Sequence, residues 1–280
     1  MSVIVNTNVQ ALIAQRSLSQ ATTRLQKSSE RLATGLRINS AVDDAAGLYI
    51  AENLESKVRG LEQCRTNLAL GINVLQIAEG DLTTIQSNIQ RIKDLATEAA
   101  SNIYATASRN AIALEIQERM AEIDRIATSS SFNGFTLLDG NSALANGMIL
   151  QVGAGSDMAQ NSIQITGVFT SSKTSDLFLT AGSVATATAA AAFIKLCEDA
   201  LDVVVTKRTK IGVSQSRLEA AQEDLATSIE RASEAKSTIA DTDIATETTE
   251  YTKQQILQQL GVSILTQANQ TASVALSLLQ

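Results

Sequence analysis

The chain has 280 residues and a net charge of −7, and it contains no histidine, proline or tryptophan. The lack of histidine excludes a serine–histidine triad and imidazole zinc ligands, and the acidic balance argues against a nucleic-acid footprint. Aromatic residues make up only 3% of the chain, which favours long helices in narrow bundles over a globular enzyme.

A seven-residue repeat of apolar side chains predicts the first helix. The repeated positions are Ile4, Ala11, Leu18, Leu25 and Leu32. This spacing is typical of a coiled-coil seam. Gly35 marks its end, because glycine commonly terminates a helix.

A second, longer helix is predicted from about residue 44 to residue 100. Its apolar row is Leu54, Leu61, Leu68, Leu75, Leu82, Ile89 and Ala96. Asp43 and Asp44 suit the N-cap of this helix better than a metal site, because carboxylates stabilise helix N-termini. At ~1.5 Å per residue the helix would be ~85 Å long, which is a length that a rod needs.

The middle of the chain changes character. A third helix follows residues 101–107, with its apolar face built on Ile112, Ile116 and Ile123. Residues 132–180 contain glycine turns and short alternating runs, which predict a few β-strands near residues 148–152 and 163–165. The hydroxyl-rich residues 170–175 are interpreted as a solvated loop.

The seven-residue repeat returns at about residue 189. Its positions are Ala190, Cys197, Val204, Ile211, Leu218, Leu225, Ala232 and Ile239. Residues 241–243 interrupt the repeat, and their aspartates are again better explained as helix caps than as metal ligands. A last helix carries Leu257, Leu260, Ile264 and Leu278.

The predicted fold is mainly α: a long antiparallel helical bundle with a small β-hairpin region, in which the terminal helices form a coiled-coil pair. One domain should comprise residues 1–43 with 241–280. The other should comprise residues 44–240, with the β region at about 131–182. Cys64 and Cys197 would then lie ~40 Å apart along antiparallel helices, too far for a disulfide, which needs Cα atoms within about 7 Å.

No pattern in the sequence indicates catalysis, and we predict no catalytic residue, no cofactor and no metal. Long helices with apolar seams at both ends of a chain need partners to cover them, which indicates an assembly subunit. The predicted assembly seam consists of Leu18, Leu25, Leu32, Leu257, Leu260, Ile264 and Leu278.

Several separated segments, in order, resemble the bacterial flagellins. They are residues 4–8, 30–41, 43–47, 89–96, 122–126, 132–134, 254–259 and 267–270. The chain departs from the family pattern after residue 270, where Thr271 and Ala272 stand in place of a proline. Larger flagellins carry outer domains in the middle of the chain, where this sequence has only residues 131–188. The resemblance is therefore to a short form that lacks these outer domains.

This resemblance implies a structural subunit of the flagellar filament for swimming motility. No secretory signal peptide is predicted, and the family resemblance implies export in the unfolded state by the flagellar type III apparatus to an extracellular filament. The implied partners are further copies of the chain, the flagellar cap and hook-junction proteins, and an export chaperone. No nucleic-acid or membrane partner is expected.

The resemblance also implies a site for the vertebrate toll-like flagellin receptor of innate immunity. The positions that match this site are Ile89, Gln90, Arg91, Leu95 and Glu115.

Two alternatives remain open from the sequence. A hook–filament junction protein shares the terminal helices, although it matches residues 30–47 less well. A secreted helical adhesin would act as a monomer on a host surface, and it would not form tubes in an assembly experiment.

Overall fold

The computed structural model describes residues 7–141 and 143–277. The chain divides into two compact units, which are Met1–Ser56 with Arg231–Gln280, and Lys57–Glu230, and each is described through its residues within those ranges. The predicted domain boundaries at residues 43 and 241 follow the breaks between helices, whereas the units divide within two long helices. The domain boundaries therefore stay a prediction.

The fold is mainly helical, as predicted. The helices are α1 (Val9–Thr34), α2 (Ala45–Ala100), α3 (Thr106–Ser129), α4 (Met158–Asn161), α5 (Ala187–Ala240) and α6 (Ile244–Ser277). The strands are β1 (Ser131–Phe132), β2 (Phe135–Thr136), β3 (Met148–Gln151) and β4 (Ser162–Ile165). Of the residues in the predicted repeats, Ile4 and Leu278 lie outside the described part of the chain.

The two breaks in the helical repeat meet each other in the first unit. α1 ends at Gly35, whose φ of 73° is left-handed and whose N–H donates to the Arg31 carbonyl at 2.8 Å. Beyond it, the Arg37 N–H donates to the Ala240 carbonyl at 2.7 Å. The predicted end of the first helix at Gly35 is thus confirmed, since glycine adopts this conformation without a Cβ clash.

The adjacent aspartates at 43 and 44 have different roles. Asp44 caps α2, because its carboxylate accepts hydrogen bonds from the Ala46 and Gly47 N–H groups at 3.1 and 2.9 Å. Asp43 instead forms an ion pair with Lys27 at 2.6 Å. The hydrogen bond from Lys27 lowers the pKa of Asp43 to about 2. Asp43 therefore fastens the segment between the two helices to α1, and Asp44 stabilises the start of α2.

The core of the second unit lies between α2, α3 and α5. Polar contacts show that α2 and α5 run antiparallel: Lys93 pairs with Glu198 at 3.0 Å, and Gln215 donates to Glu79 at 3.4 Å. The predicted apolar rows face inward. Fully buried members are Leu68, Leu75, Leu82 and Ile89 on α2, Ile123 on α3, and Val204, Ile211 and Leu218 on α5.

Both cysteines are free and buried, as predicted. Burial raises the pKa of the Cys197 thiol to about 11 and also raises that of Cys64. Both side chains are therefore neutral thiols near pH 7 and act as small apolar residues of the seams.

The β region consists of two short antiparallel pairs. β3 pairs with β4 in a register that aligns Met148 with Ile165 and Leu150 with Ile163. β1 pairs with β2 across a turn in which Asn133 and Gly134 have φ of 48° and 82°. These elements confirm the strands and the turn predicted from the alternating and glycine-containing segments.

We expect opposite effects from alanine at two glycines of α2. A Cβ on Gly71 would lie 2.3 Å from Leu150 Cδ1, whereas a Cβ on Gly80 would meet nothing within 4 Å. Gly80→Ala should raise the free energy of unfolding by about 0.5–1 kcal/mol, through helix propensity alone. Gly71→Ala should lower it, because Leu150 must leave its site and overpacking typically costs about 1–3 kcal/mol.

Urea denaturation followed by circular dichroism measures both glycine variants. An equal gain for Gly71→Ala and Gly80→Ala would contradict the seating of β3 on α2.

Candidate assembly interface

The terminal helices α1 and α6 pair in antiparallel fashion, which confirms the predicted coiled-coil pair. The Asn8 side-chain amide donates to the Ala268 carbonyl at 2.9 Å, near the start of α1. Near the end of α1, Arg31 pairs with Glu247 at 3.5 Å. From the first contact to the second, residue numbers rise along α1 and fall along α6, so the two helices run in opposite directions.

The faces that α1 and α6 turn towards each other carry mostly small and polar side chains. The buried members are Ala14, Ala21 and Ser28 on α1, with Gln254 and Ala268 on α6. At Gly261 the helices approach so closely that a Cβ would lie 3.2 Å from Leu18 Cδ1. Because alanine, serine and glycine carry little apolar surface, this contact contributes little hydrophobic stabilisation.

The predicted assembly seam divides into two groups. Leu18, Leu25 and Leu32 of α1 are half-buried, and Leu18 lies against Gly261 of α6. The α6 residues Leu257, Leu260 and Ile264 are 42%, 52% and 57% exposed. We call these three residues the outer face of α6. The buried residues of α6 are instead Gln254 and Ala268, which lie on the neighbouring row.

The paired faces also contain polar groups without full hydrogen bonding. Gln254 is 1% exposed and donates to Glu250 Oε1 at 2.5 Å, while its own Oε1 has no hydrogen-bond partner among the described residues. The buried Nε of Arg31 also lacks one within the described chain. Each such group costs free energy. We therefore expect the pair to be weak in an isolated subunit.

The surface of the terminal helices carries grooves. One, of about 340 Å³, lies between the terminal helices where Gly261 has no side chain; its lining is Gln10, Ile13, Ala14, Ser17, Gly261 and Ile264. Another runs along α6 from Ile244 to Ile256 and measures about 800 Å³. Together with the exposed leucines, they give the terminal pair patches of exposed apolar surface.

The residues that match the receptor site are split between surface and core. The Arg91 guanidinium donates to Glu115 Oε1 through Nη2 at 2.9 Å and Nε at 3.1 Å. Gln90 and Arg91 are exposed, and Glu115 is partly exposed. Ile89 and Leu95 are buried in the core. Only the three polar residues can therefore be touched by another molecule.

The prediction of a solvated loop at residues 170–175 is wrong for part of that segment. Ser172 and Thr174 are buried. Thr174 donates through its N–H to Asp124 Oδ1 at 2.8 Å and through its hydroxyl to both carboxylate oxygens at about 3 Å. Satisfied hydrogen bonds allow these polar side chains to be buried.

A buried lysine, which the sequence analysis missed, holds the same segment. The Lys207 ammonium donates to the carbonyls of Thr170 at 3.2 Å and Ser171 at 2.5 Å, and to Ser172 Oγ at 2.9 Å. Burial lowers the pKa of Lys207 to about 8. A signal was present in the sequence, since Lys207 follows Val204 by three residues and so falls on the inner face of α5.

We expect the stability of the wild-type protein to rise with pH between about 8 and 10.5, relative to Lys207→Met. The folded state loses the Lys207 proton in this range, whereas the unfolded chain keeps it up to the ordinary pKa of 10.5. The unfolded state then binds more protons, so the free energy of unfolding increases with pH. Below about pH 8 both states are charged, and the folded state bears the full cost of burying the ammonium.

Urea denaturation of the wild type and Lys207→Met across this pH range provides the test. Because the methionine variant keeps every other titrating group, the difference between the two profiles isolates the contribution of Lys207. Parallel profiles for the two proteins would contradict this assignment.

Among the residues that the structure describes, no cluster of three or more histidine, cysteine, aspartate or glutamate side chains is arranged to hold a metal ion. A search of the same residues finds no helix with the length and apolar character needed to cross a membrane.

Comparison with known proteins gives matches over nearly the whole chain. Residues 5–143 match the bacterial flagellin N-terminal helical region, and residues 194–279 match the bacterial flagellin C-terminal helical region. Flagellin FlaB1 of Treponema pallidum (strain Nichols) is 36% identical over 287 residues, which cover 99% of this chain and 100% of that protein. The flagellar filament 33 kDa core protein of Treponema phagedenis is 36% identical over 290 residues, with the same coverage.

A solved structure supports the fold. The crystal structure of Bacillus cereus flagellin superimposes with a TM-score of 0.51 and 21% identity, covering 57% of this chain and 88% of that one.

Proposed function

The chain belongs to the bacterial flagellin family, and from this premise we propose that α1 and α6 are the segments through which it joins the filament. Family membership and the filament core protein among its relatives identify it as a structural, non-enzymatic subunit that polymerises with copies of itself.

The observation that carries the proposal is the outer face of α6. Leu257, Leu260 and Ile264 remain about half exposed, although they lie on a helix that is already paired. Fully burying such a side chain contributes about 1.5–3 kcal/mol. Covering the remaining half of all three would therefore add on the order of 2–4 kcal/mol per subunit. A second copy of the chain provides matching apolar surface, including Leu12 and Ile13 of α1.

We expect the double substitution Leu260→Gln and Ile264→Gln to raise the critical concentration for seeded polymerisation by at least about tenfold, which corresponds to about 1.4 kcal/mol. Glutamine keeps the helix propensity of the segment while removing its apolar surface. Sedimentation of polymers formed on filament seeds measures the critical concentration. Gln259→Ala, on the same turn of α6, serves as the control and should leave it nearly unchanged.

An unchanged critical concentration in the double variant would contradict the assembly role of the outer face of α6.

We further propose export in the unfolded state by the flagellar type III apparatus, aided by an export chaperone, to an extracellular filament. Two features of the chain support this route. Cys64 and Cys197 are both free, so no covalent link prevents threading. The weak pairing of α1 with α6 also makes these segments easy to unfold.

Assembly in this scheme takes place at the hook-junction proteins and beneath the flagellar cap. The terminal helices then form the inner wall of the tube, and residues 44–240 form its outer wall. The exposed apolar groups of the terminal pair support its inner, subunit-covered position.

For the vertebrate toll-like receptor, the proposed contact is restricted to Gln90, Arg91 and Glu115. These residues form a polar patch on α2 and α3, in which the ion pair fixes the arginine. Ile89 and Leu95 would not touch the receptor; from the core they would hold the α2 backbone that carries Gln90 and Arg91.

The alternatives to a filament subunit are a hook–filament junction protein and a secreted helical adhesin. The relatives that match over their full length are named flagellin and filament core protein, which favours the filament. Electron microscopy after seeding separates the alternatives, because a monomeric adhesin forms no long tubes.

A further inference from the structure

Phe178 combines high exposure with an unfavourable backbone conformation. Its side chain is 68% exposed, and its φ of 57° and ψ of 18° lie in the left-handed region. For a bulky L-residue this region is disfavoured by contact between Cβ and the backbone carbonyl. Such a conformation persists only where the surrounding structure imposes it.

The neighbours of Phe178 impose this conformation. Leu177 and Leu179, on either side, are both buried in the core of the second unit. Their N–H groups donate to the carbonyls of Lys173 and Thr174, each at 3.0 Å. With both leucines directed inward, the backbone turns at Phe178 and its ring is directed outward.

The segment that presents Phe178 is firmly held. Thr174 is bound by the Asp124 carboxylate of α3, and the Lys207 ammonium of α5 binds the carbonyls of Thr170 and Ser171. The aromatic ring is therefore carried by a segment whose backbone is held by hydrogen bonds to α3 and α5.

Neither packing nor backbone preference accounts for a phenylalanine at position 178. Asparagine or glycine would adopt the left-handed conformation more easily, and an exposed ring contributes little to the fold. Phenylalanine is scarce in this chain, with five in all. Phe169 and Phe193, by contrast, are almost completely buried. Rigidly held aromatic side chains are typical anchors of protein interfaces.

We propose that Phe178 anchors a contact between neighbouring copies of this chain in the filament, made by residues 57–230 rather than by α1 or α6. The inference rests on the proposed assembly of the chain into a filament, which makes a second copy the partner. The same unit offers apolar surface to receive the ring, since several large side chains on α2 and α5 are exposed. They include Leu70, Ile77, Val203 and Val213.

The test separates a role in assembly from a role in folding. Phe178→Asn should leave the thermal midpoint of the free subunit unchanged or raise it, because asparagine tolerates the left-handed backbone. It should also raise the critical concentration for seeded polymerisation at least about tenfold. Phe178→Tyr, which keeps the ring, should stay within about threefold of the wild type, and Thr180→Ala in the same segment should have no effect.

A second measurement identifies the partner. A photo-crosslinking p-benzoylphenylalanine at position 178 should link two copies of the chain in filaments, with the attachment site found by mass spectrometry. Normal assembly of Phe178→Asn, or filaments without links between copies from this position, would overturn the inference. If the wild type itself does not polymerise, the proposed assembly fails, and the inference fails with it.

Discussion

Leu75→Ala is expected to lower the free energy of unfolding by about 2–5 kcal/mol, the usual cost of truncating a buried leucine. Leu75 is completely buried and lies midway along the apolar row of α2, between Leu68 and Leu82. Alanine at this position would leave a cavity between helices that cannot close without moving their backbones. The lost burial and the cavity both destabilise the second unit.

The neighbouring Gln76 provides the control for Leu75. Gln76 is exposed on the same turn of α2, so Gln76→Ala should change the free energy of unfolding by less than about 0.5 kcal/mol. Urea denaturation followed by circular dichroism measures both variants. Equal effects at the two positions would mean that the buried face of α2 has been misassigned.

A fragment of residues 44–242 should remain a folded, soluble, mostly helical monomer that does not polymerise under any seeding condition. It retains the Asp44 cap of α2 and the whole buried cluster between Leu61 and Leu225. It lacks α1 and α6, and with them the outer face of α6. Loss of assembly should therefore be complete rather than partial.

The fragment is compared with the full-length protein under identical seeding, by circular dichroism and electron microscopy. Full-length protein should gain helix as tubes form, whereas the fragment should show the same helix content throughout. Normal tubes made by the fragment would show that the terminal helices are dispensable.

The long helices and their ends could be predicted because several local signals agree. The heptad rows of α2 and α5 persist over many turns, and their apolar positions coincide with the buried ones. Gly35 and Asp44 define local backbone conformations through glycine geometry and side-chain capping, so neither depends on distant parts of the chain. The same agreement made the free state of Cys64 and Cys197 predictable.

The face on which α6 pairs could not be predicted from hydrophobicity. Leu257 and Leu260 are the more apolar candidates, yet Gln254, Gly261 and Ala268 face α1. Small residues permit a closer approach of two helices. Which face of α6 contacts α1 therefore depends on the shapes of both helices, and the hydrophobicity of α6 alone does not determine it.

The polar contacts around residues 170–179 were likewise missed because their partners are distant in sequence. Asp124 lies 50 residues from Thr174, and Lys207 lies 36 residues from Ser171. The left-handed conformation of Phe178 depends on the burial of both neighbouring leucines, which only the assembled core determines.

Hydrogen–deuterium exchange of the backbone amides of α1 and α6 tests the central claim most directly. Ordering each residue costs about 1–2 kcal/mol in backbone entropy, and the paired faces of these helices bury too little apolar surface to offset it. We predict rapid exchange of both segments in the free subunit and strong protection in the filament, where neighbouring copies cover the outer face of α6. Equally strong protection in the free subunit would contradict this account.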